Sequence, residues 1–337
     1  LATTALPSTE DKVRFLSAPQ SHPDRPSKVD VVETHLSWVF LAGERVYKLK
    51  KPVKSEHFDF TSLAARETNC RSEVRLNRRL AGDVYQGVAR LVLAADGRLA
   101  LDGEGETVDW LVLMRRLPTD RMLDQLIERS AFDSAGLARL GERLSQFYAS
   151  RPPAEIEPQA YLDRFTREQA TNRRVLGACR APAFHERLLD RLDAALVRYA
   201  RLLEVRVLSG RIVDGHGDLR PEHVCMTDPI VIFDCLEFSD RLRRVDPVDE
   251  LAFLGMECGL LGADWIGPTL AEHVLTALGQ SVPDDLAALH VACRALFRMR
   301  LSLAHLLDPE PREPERWRPL ADKYAAAADA ALTKLKA

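Results

Sequence analysis

Five side chains capable of acid–base or charge chemistry fall inside the stretch HGDLRPEHVCM: His216, Asp218, Arg220, Glu222 and His223. An aspartate can accept or guide the proton of a hydroxyl, and an arginine close by can grip phosphate oxygens as a fork. Further on, the apolar run IVIF ends at Asp234, where a carboxylate at the mouth of a site can hold a metal ion. This set suits phosphoryl transfer, a reaction that needs positioning and positive charge but little covalent work from the protein. Two more parts are then required, a lysine for the phosphates and a carboxylate to hold that lysine. RVYKLKKP offers Lys48, with Lys50 as the alternative on the same strand face. NCRSEVRLNRRLA offers Glu73, on a helix flank beside apolar positions.

These residues need elements to carry them. VDVVETHLSWVFL, then Ala-Gly-Glu, then RVYKLKK predicts two strands around a tight turn at Gly43. VARLVLAADGRLAL predicts a hairpin turning at Asp96-Gly97, and residues 108–114 a further strand. Between them a helix is predicted over about 61–80. After Leu117-Pro118 the apolar period becomes helical, over 133–149, 183–208, 248–262, 285–307 and 315–335. A short β hairpin, VCM and IVIF around Thr227-Asp228-Pro229, interrupts that region directly after the charged stretch. The expected organisation is an extension over 1–28, a strand-rich lobe over 29–117 and a helical lobe over 118–337.

Composition sets limits on the function. The chain has 337 residues, 46% hydrophobic and 29% charged, with a net charge of −3, which is the profile of a soluble globular protein. A nucleic-acid partner is not expected from this charge, despite arginine-rich patches at 71–79 and 241–244. No run is apolar enough to predict a membrane span. LATTALPSTEDKVRF lacks the basic start and apolar core of a signal peptide, and its first residue, Leu, suggests a trimmed end. Six cysteines without a C-x-x-C pair are expected to be reduced thiols in a cytoplasmic protein. Gly103-Glu104-Gly105 is half of a dinucleotide fingerprint, but its carboxylates would repel pyrophosphate, so a solvated loop is expected.

HGDL followed by Arg-Pro-Glu parallels a protein-kinase catalytic loop, H-R-D-L-x-x-x-N. With Gly for the kinase Arg, it resembles the aminoglycoside phosphotransferase-like family, whose members share the protein-kinase-like fold. ETHLSWVFLAGERVYKLKKPV, SEVRLNRRLA and IFDCLEFSDRLRRVDPVDELAFL resemble a bacterial branch often fused to a P-loop ATPase domain. No G-x-x-x-x-G-K-[ST] occurs in this chain, so that second domain is not expected in it. The resemblance spans about residues 30–305. It implies an α+β, bilobal fold: a small antiparallel sheet lobe with one helix, and a larger, mainly helical lobe.

The resemblance also implies roles. ATP would bind in the cleft between lobes, with Lys48 on the phosphates and Glu73 fixing it. A Ser-bearing turn, with Ser37, would cover the phosphates, and the connector Met114-Arg115-Arg116-Leu117 would present backbone groups to adenine. Asp218 would act as base for a small-molecule hydroxyl, Arg220 would offset charge, and Asp234 would bind Mg²⁺. Asp246-Pro247-Val248-Asp249 would support the catalytic loop, although Asp249 also reads as a helix cap. His223 departs from the family, which has Asn there; imidazole suits Mn²⁺ better than Mg²⁺. Two other functions fit parts of the pattern. A metal-dependent hydrolase would use His216, Asp218, His223 and Asp234 as ligands but leaves Lys48 and Glu73 unexplained. A non-catalytic, pseudokinase-like nucleotide sensor would account for the missing Asn.

Overall fold

Residues 6–55 and 58–335 are described by the computed structural model, and the chain divides into two units. The first takes the chain up to Met122 together with His223–Arg241; the second takes Leu123–Glu222 and the chain from Leu242 onward.

The first unit is built on an antiparallel sheet. Its elements in chain order are α1 (Thr9–Ser17), β1 (Val29–Glu33), β2 (Ser37–Ala42), β3 (Arg45–Lys50), α2 (Leu63–Ala81), β4 (Tyr85–Leu93), β5 (Leu99–Leu101) and β6 (Glu106–Arg115). The strands lie in the order β1-β2-β3-β6-β4-β5, so β3 is an interior strand with β2 and β6 on its two sides. Successive side chains of a strand face opposite ways, and the two faces of this sheet are used differently. Tyr47 and Leu49 join Phe40, Leu91 and Leu111 in a core closed by Leu16 of α1. Lys48 and its ladder partner Val112 belong to the other face, where Val112 packs with Cys70 and Val74 of α2.

Local chemistry explains the element ends. Gly43 turns β2 into β3 with φ +62°, a left-handed conformation that glycine adopts without strain. The single strand predicted over 29–41 is two strands instead. Thr34 accounts for the break: its N–H donates to Ser37 O at 2.8 Å, and its Oγ1 accepts from Ser37 N–H at 3.0 Å, closing a turn. α2 starts at Ser62, whose hydroxyl accepts from Ala65 N–H at 3.1 Å. Its first turns are fixed by Arg66, which forks onto Asp109 of β6 at 2.7 and 3.2 Å. Lys12 of α1 reaches the same Asp109 at 2.8 Å. The segment His223–Arg241 contributes a short antiparallel pair, Val224–Cys225 with Val231–Ile232, and Cys225 and Val231 enter the α2-facing core.

The second unit is helical: α3 (Leu123–Glu128), α4 (Ser134–Ala149), α5 (Pro158–Ala178), α6 (Ala183–Leu208), α8 (Pro247–Leu260), α9 (Ile266–Ala277), α10 (Asp284–Ala304) and α11 (Pro314–Lys334), with α7 (Asp240–Arg243) at the join. The three- and four-residue spacing noted over 183–208 becomes the buried stripe of α6, with Leu188, Leu189, Leu192 and Leu203 all inside. Two-residue strands, Val213–Asp214 and Arg244–Val245, pair antiparallel and bracket the HGD stretch.

α8 and α9 touch backbone to backbone. A Cβ placed on Gly255 would stand 2.6 Å from Gly267 Cα, whereas one on Gly177 of α5 would meet nothing within 4 Å. Gly255→Ala is therefore expected to lower stability by about 1–3 kcal/mol, while Gly177→Ala is neutral or raises it by about 0.5 kcal/mol. Urea unfolding of the two variants against the parent measures both.

Candidate active site

Lys48 projects from β3 into a group of buried charges within the first unit. Its Nζ donates to Glu73 Oε1 of α2 at 2.9 Å and to Asp234 Oδ1 at 2.6 Å. Glu73 is completely buried, whereas the Asp234 side chain keeps 40% of its surface open. Burial works against the Lys48 ammonium, but Asp234 and Glu73 outweigh it and raise the pKa well above the usual lysine range. Burial likewise opposes the Asp234 carboxylate; Lys48, with His223 behind it, holds its pKa far below the ordinary value. Both groups therefore carry full charge across the physiological range.

The backbone delivers Asp234 in an unusual conformation. Its φ is +61°, in the left-handed region that few side chains visit. Hydrogen bonds from α2 and β4 fix it there. Asp234 N–H donates to Tyr85 Oη at 3.2 Å, and the next amide, Cys235 N–H, donates to Asn77 Oδ1 at 2.9 Å. Asn77 in turn donates from Nδ2 to Glu73 O at 3.0 Å.

The two candidate lysines differ in their surroundings. Lys50 too pairs with Glu73, through Oε2, and its Nζ donates to Glu237 Oε1 at 2.6 Å. Its side chain is 2% exposed against 13% for Lys48, so Lys48 is the one that reaches toward solvent.

A divalent cation, which the resemblance implies, finds donors in this unit. His223 Nε2 lies 3.6 Å from Asp234 Oδ2, so a nitrogen and an oxygen donor converge. The three carboxylates Glu73, Asp234 and Glu237 outnumber the ammonium groups of Lys48 and Lys50, which also favours a cation. Among the described residues no group of three or more His, Cys, Asp or Glu side chains is arranged to hold a metal. Two protein donors suit an ion that keeps water and phosphate oxygens as its other ligands.

The remaining candidates are placed as follows. Ser37 is fully buried, and its Oγ has no partner inside the unit, while Thr34 and His35 of the same turn are exposed. Met114 lies in β6 between Val46 and Tyr85, half-buried. Arg116 already uses its N–H to donate to Glu44 O at 2.8 Å, extending the β3–β6 ladder. Leu117 packs on the α2-facing core.

Asp218 and Arg220 belong to the second unit. Gly217 has φ +87°, which explains a glycine between His216 and Asp218. Glu250 of α8, fully buried, anchors this loop. It accepts from His216 N–H at 2.8 Å and from Gly217 N–H, while Tyr148 Oη donates to its other oxygen at 2.8 Å. Gly215 must lack a side chain, since a Cβ there would meet Val245 Cγ2 at 2.6 Å and Glu250 Oε2 at 2.7 Å. Asp218 N–H donates to His216 Nδ1 at 3.3 Å, so the histidine closes the loop on itself. Arg220 Nε donates to Asp218 Oδ2 at 3.1 Å, and Arg220 also pairs with Glu222. Asp249 is not the helix cap. That role is taken by Asp246, which accepts from Val248 N–H at 3.0 Å. Asp249 instead receives Arg294 at 2.7 and 2.9 Å, and Arg294 donates to Gly217 O at 3.2 Å. Glu250, Tyr148, Arg294, Lys50, Glu237, Asn77 and Tyr85 carry no motif of their own. Only Lys50, the alternative to Lys48 on the same strand face, was among the candidates read from the sequence.

A model of the phosphotransferase enzyme family matches residues 61–289, more than half of the chain. The chain belongs to that family. Curated relatives of this chain include an uncharacterized protein of Mycobacterium bovis and one of Mycobacterium tuberculosis H37Rv. Each is 30% identical over 300 residues, which cover 86% of this chain. The chain spans 58% of the length of those relatives. Solved structures share the fold of this chain at low identity. A choline/ethanolamine kinase family protein from Mesorhizobium loti has a TM-score of 0.54 at 16% identity, covering 96% of this chain and 95% of that one. A choline kinase from Cryptosporidium parvum has 0.57 at 9%, covering 96% and 95%. An aminoglycoside phosphotransferase in complex with GDP has 0.55 at 15%, covering 96% and 98%. The expected fold class, a small antiparallel sheet part and a larger helical part in the protein-kinase-like manner, is the one this chain adopts. Among its described residues no helix is long and apolar enough to cross a membrane.

The buried Asp249 makes the second unit sensitive to acid. Burial opposes its charge, but Arg294, with His290 and Arg164, holds its pKa well below the usual carboxylate range. A depressed folded-state pKa gives stability that is present above the unfolded value of about 4 and is lost as pH falls below it. Asp249→Asn is expected to cost about 3–5 kcal/mol near pH 7. That difference from the parent should narrow below about pH 4, as measured by denaturant unfolding at stepped pH.

Proposed function

We propose that this chain transfers the γ-phosphoryl group of ATP to a hydroxyl of a small molecule. The observation that carries the reading is the Lys48–Glu73–Asp234 cluster. It is a fully charged lysine held between a buried carboxylate and an open one, in a member of a phosphotransferase family. Similarity to choline and aminoglycoside kinases, which by their names act on small molecules, supports a small acceptor.

In this reading Lys48 binds nucleotide phosphate oxygens, exchanging Asp234 for phosphate while Glu73 keeps it in place. Asp234 and His223 hold a divalent cation, which when bound offsets phosphate charge. The Thr34–Leu36 turn, whose first two residues are exposed, covers the phosphates in place of the buried Ser37. Adenine is met by the backbone around Met114 and Leu117, because the Arg116 amide is engaged. Asp218 orients the acceptor hydroxyl and takes its proton. Arg220, already paired with Asp218, orients that carboxylate and adds positive charge for the transferred group. The first unit is the nucleotide-binding part and the second the acceptor part, and the protein works in the cytoplasm.

A panel of metabolites and antibiotics, assayed for conversion of ATP to ADP with Mg²⁺ and Mn²⁺ in parallel, tests this function. Asp218→Asn is expected to lower acceptor-dependent ADP formation at least about 100-fold while leaving ATP affinity by calorimetry within about threefold. ADP formation at the parent rate would remove Asp218 from the role of base. His223→Asn is expected to shift metal preference from Mn²⁺ toward Mg²⁺, read as the metal dependence of nucleotide binding.

A further inference from the structure

Behind the Lys48–Asp234 pair lies a second ion pair that a phosphate-binding lysine does not by itself require. Lys50, Glu237 and Glu73 have side chains 2%, 6% and 0% exposed. Burying such charges is a poor way to gain stability, since apolar residues of similar size serve as well or better. The geometry shows what they achieve instead. Glu73 has two oxygens; Lys48 uses Oε1 and Lys50 uses Oε2. Lys50 is itself held by Glu237, three residues beyond Asp234 on the same segment. A ring therefore closes from β3 to α2 to the Asp234 segment and back to β3, and Asn77 and Tyr85 brace it through the backbone of residues 234–235.

We propose that Lys50 and Glu237 are positioning residues that occupy the second oxygen of Glu73, so that Lys48 is presented to nucleotide phosphate. The proposal rests on the ATP-binding reading of Lys48. Without Lys50, Glu73 offers both oxygens to the one remaining ammonium. Lys48 is then drawn back into a two-pronged pair as soon as it leaves Asp234. With Lys50 in place, Glu73 bonds Lys48 through one oxygen only, and the ammonium keeps donors free for a ligand. Glu237 prevents Lys50 from following Lys48 and ties the position of Asp234 to that of the two lysines.

An ATP acyl-phosphate probe reads this directly and needs no acceptor. The lysine ε-amine attacks the acyl carbonyl, the bond from that carbon to the phosphate oxygen breaks, ATP leaves, and the amine proton passes to water. Mass spectrometry then identifies which lysine carries the amide. In the parent protein Lys48 is acylated, excess ATP blocks the reaction, and Lys50 is unmodified. The double variant Lys50→Met with Glu237→Met removes both charges together. With its thermal midpoint near that of the parent, it should acylate Lys48 at least tenfold more slowly, and Lys50→Arg should recover most of the parent rate. Should the double variant fail to fold, Glu237→Gln carries the test, with at least a threefold loss expected. An unchanged Lys48 rate in a folded variant, or acylation of Lys50 in the parent, overturns the positioning role and leaves the ATP reading standing. No ATP-protected acylation of any lysine in the parent overturns the ATP reading, and the positioning role with it.

Discussion

An ammonium group fixed between a sealed carboxylate and an open one is the constraint around which the first unit is organised. Charge is costly to bury, so each partner of Lys48 must be placed to within hydrogen-bond distance by something rigid. β3 is rigid because it is an interior strand with its opposite face in an apolar core. α2 is rigid because Arg66 locks it to β6 through Asp109. The Asp234 segment has almost no regular structure, and side chains of α2 and β4 hold its amides instead. Sheet, helix and loop thus meet at one nitrogen atom.

The second unit solves a related problem with the same kind of device. Its HGD loop leaves backbone amides and carbonyls without ladder partners, and buried polar groups must be satisfied somewhere. Glu250 accepts from the loop amides, and Arg294 donates to the Gly217 carbonyl while anchored on Asp249. A buried carboxylate is the anchor in both units. In one it orients a side chain, in the other a backbone. The HGD loop is consequently irregular in shape but not in its bonding.

Lys48, Glu73 and Asp234, which the fold brings together, stand out in the sequence because each sits at a boundary that pattern reveals. Lys48 interrupts an apolar strand, Asp234 ends one, and Glu73 borders the apolar stripe of a helix. Of the long helices, α4, α6, α8, α10 and α11 were legible for the same reason of period, and α5 was not singled out. Lys50 was harder, since a lysine near a strand end is ordinarily solvated, and only the arrival of Glu237 makes its burial tolerable. Asn77, Tyr85 and Glu250 carry no local signal, because their partners are backbone amides well over a hundred or some thirty residues away in the chain. The break between β1 and β2 was missed because Thr34 is a good strand residue, and the turn depends on a hydroxyl contact that strand propensity ignores. The membership of His223–Arg241 in the first unit is a matter of packing, which chain order does not express.

The left-handed backbone at Asp234 separates foldedness from chemistry at that position. Asparagine and glycine accept that conformation at least as readily as aspartate does. Most other positions of the charged cluster are guarded by the folded state itself, since a change there strands a buried partner. At Asp234 a single replacement can erase the negative charge while leaving the chain trace comfortable. Descendants of this scaffold therefore have a short path to proteins that keep the architecture and lose the open carboxylate.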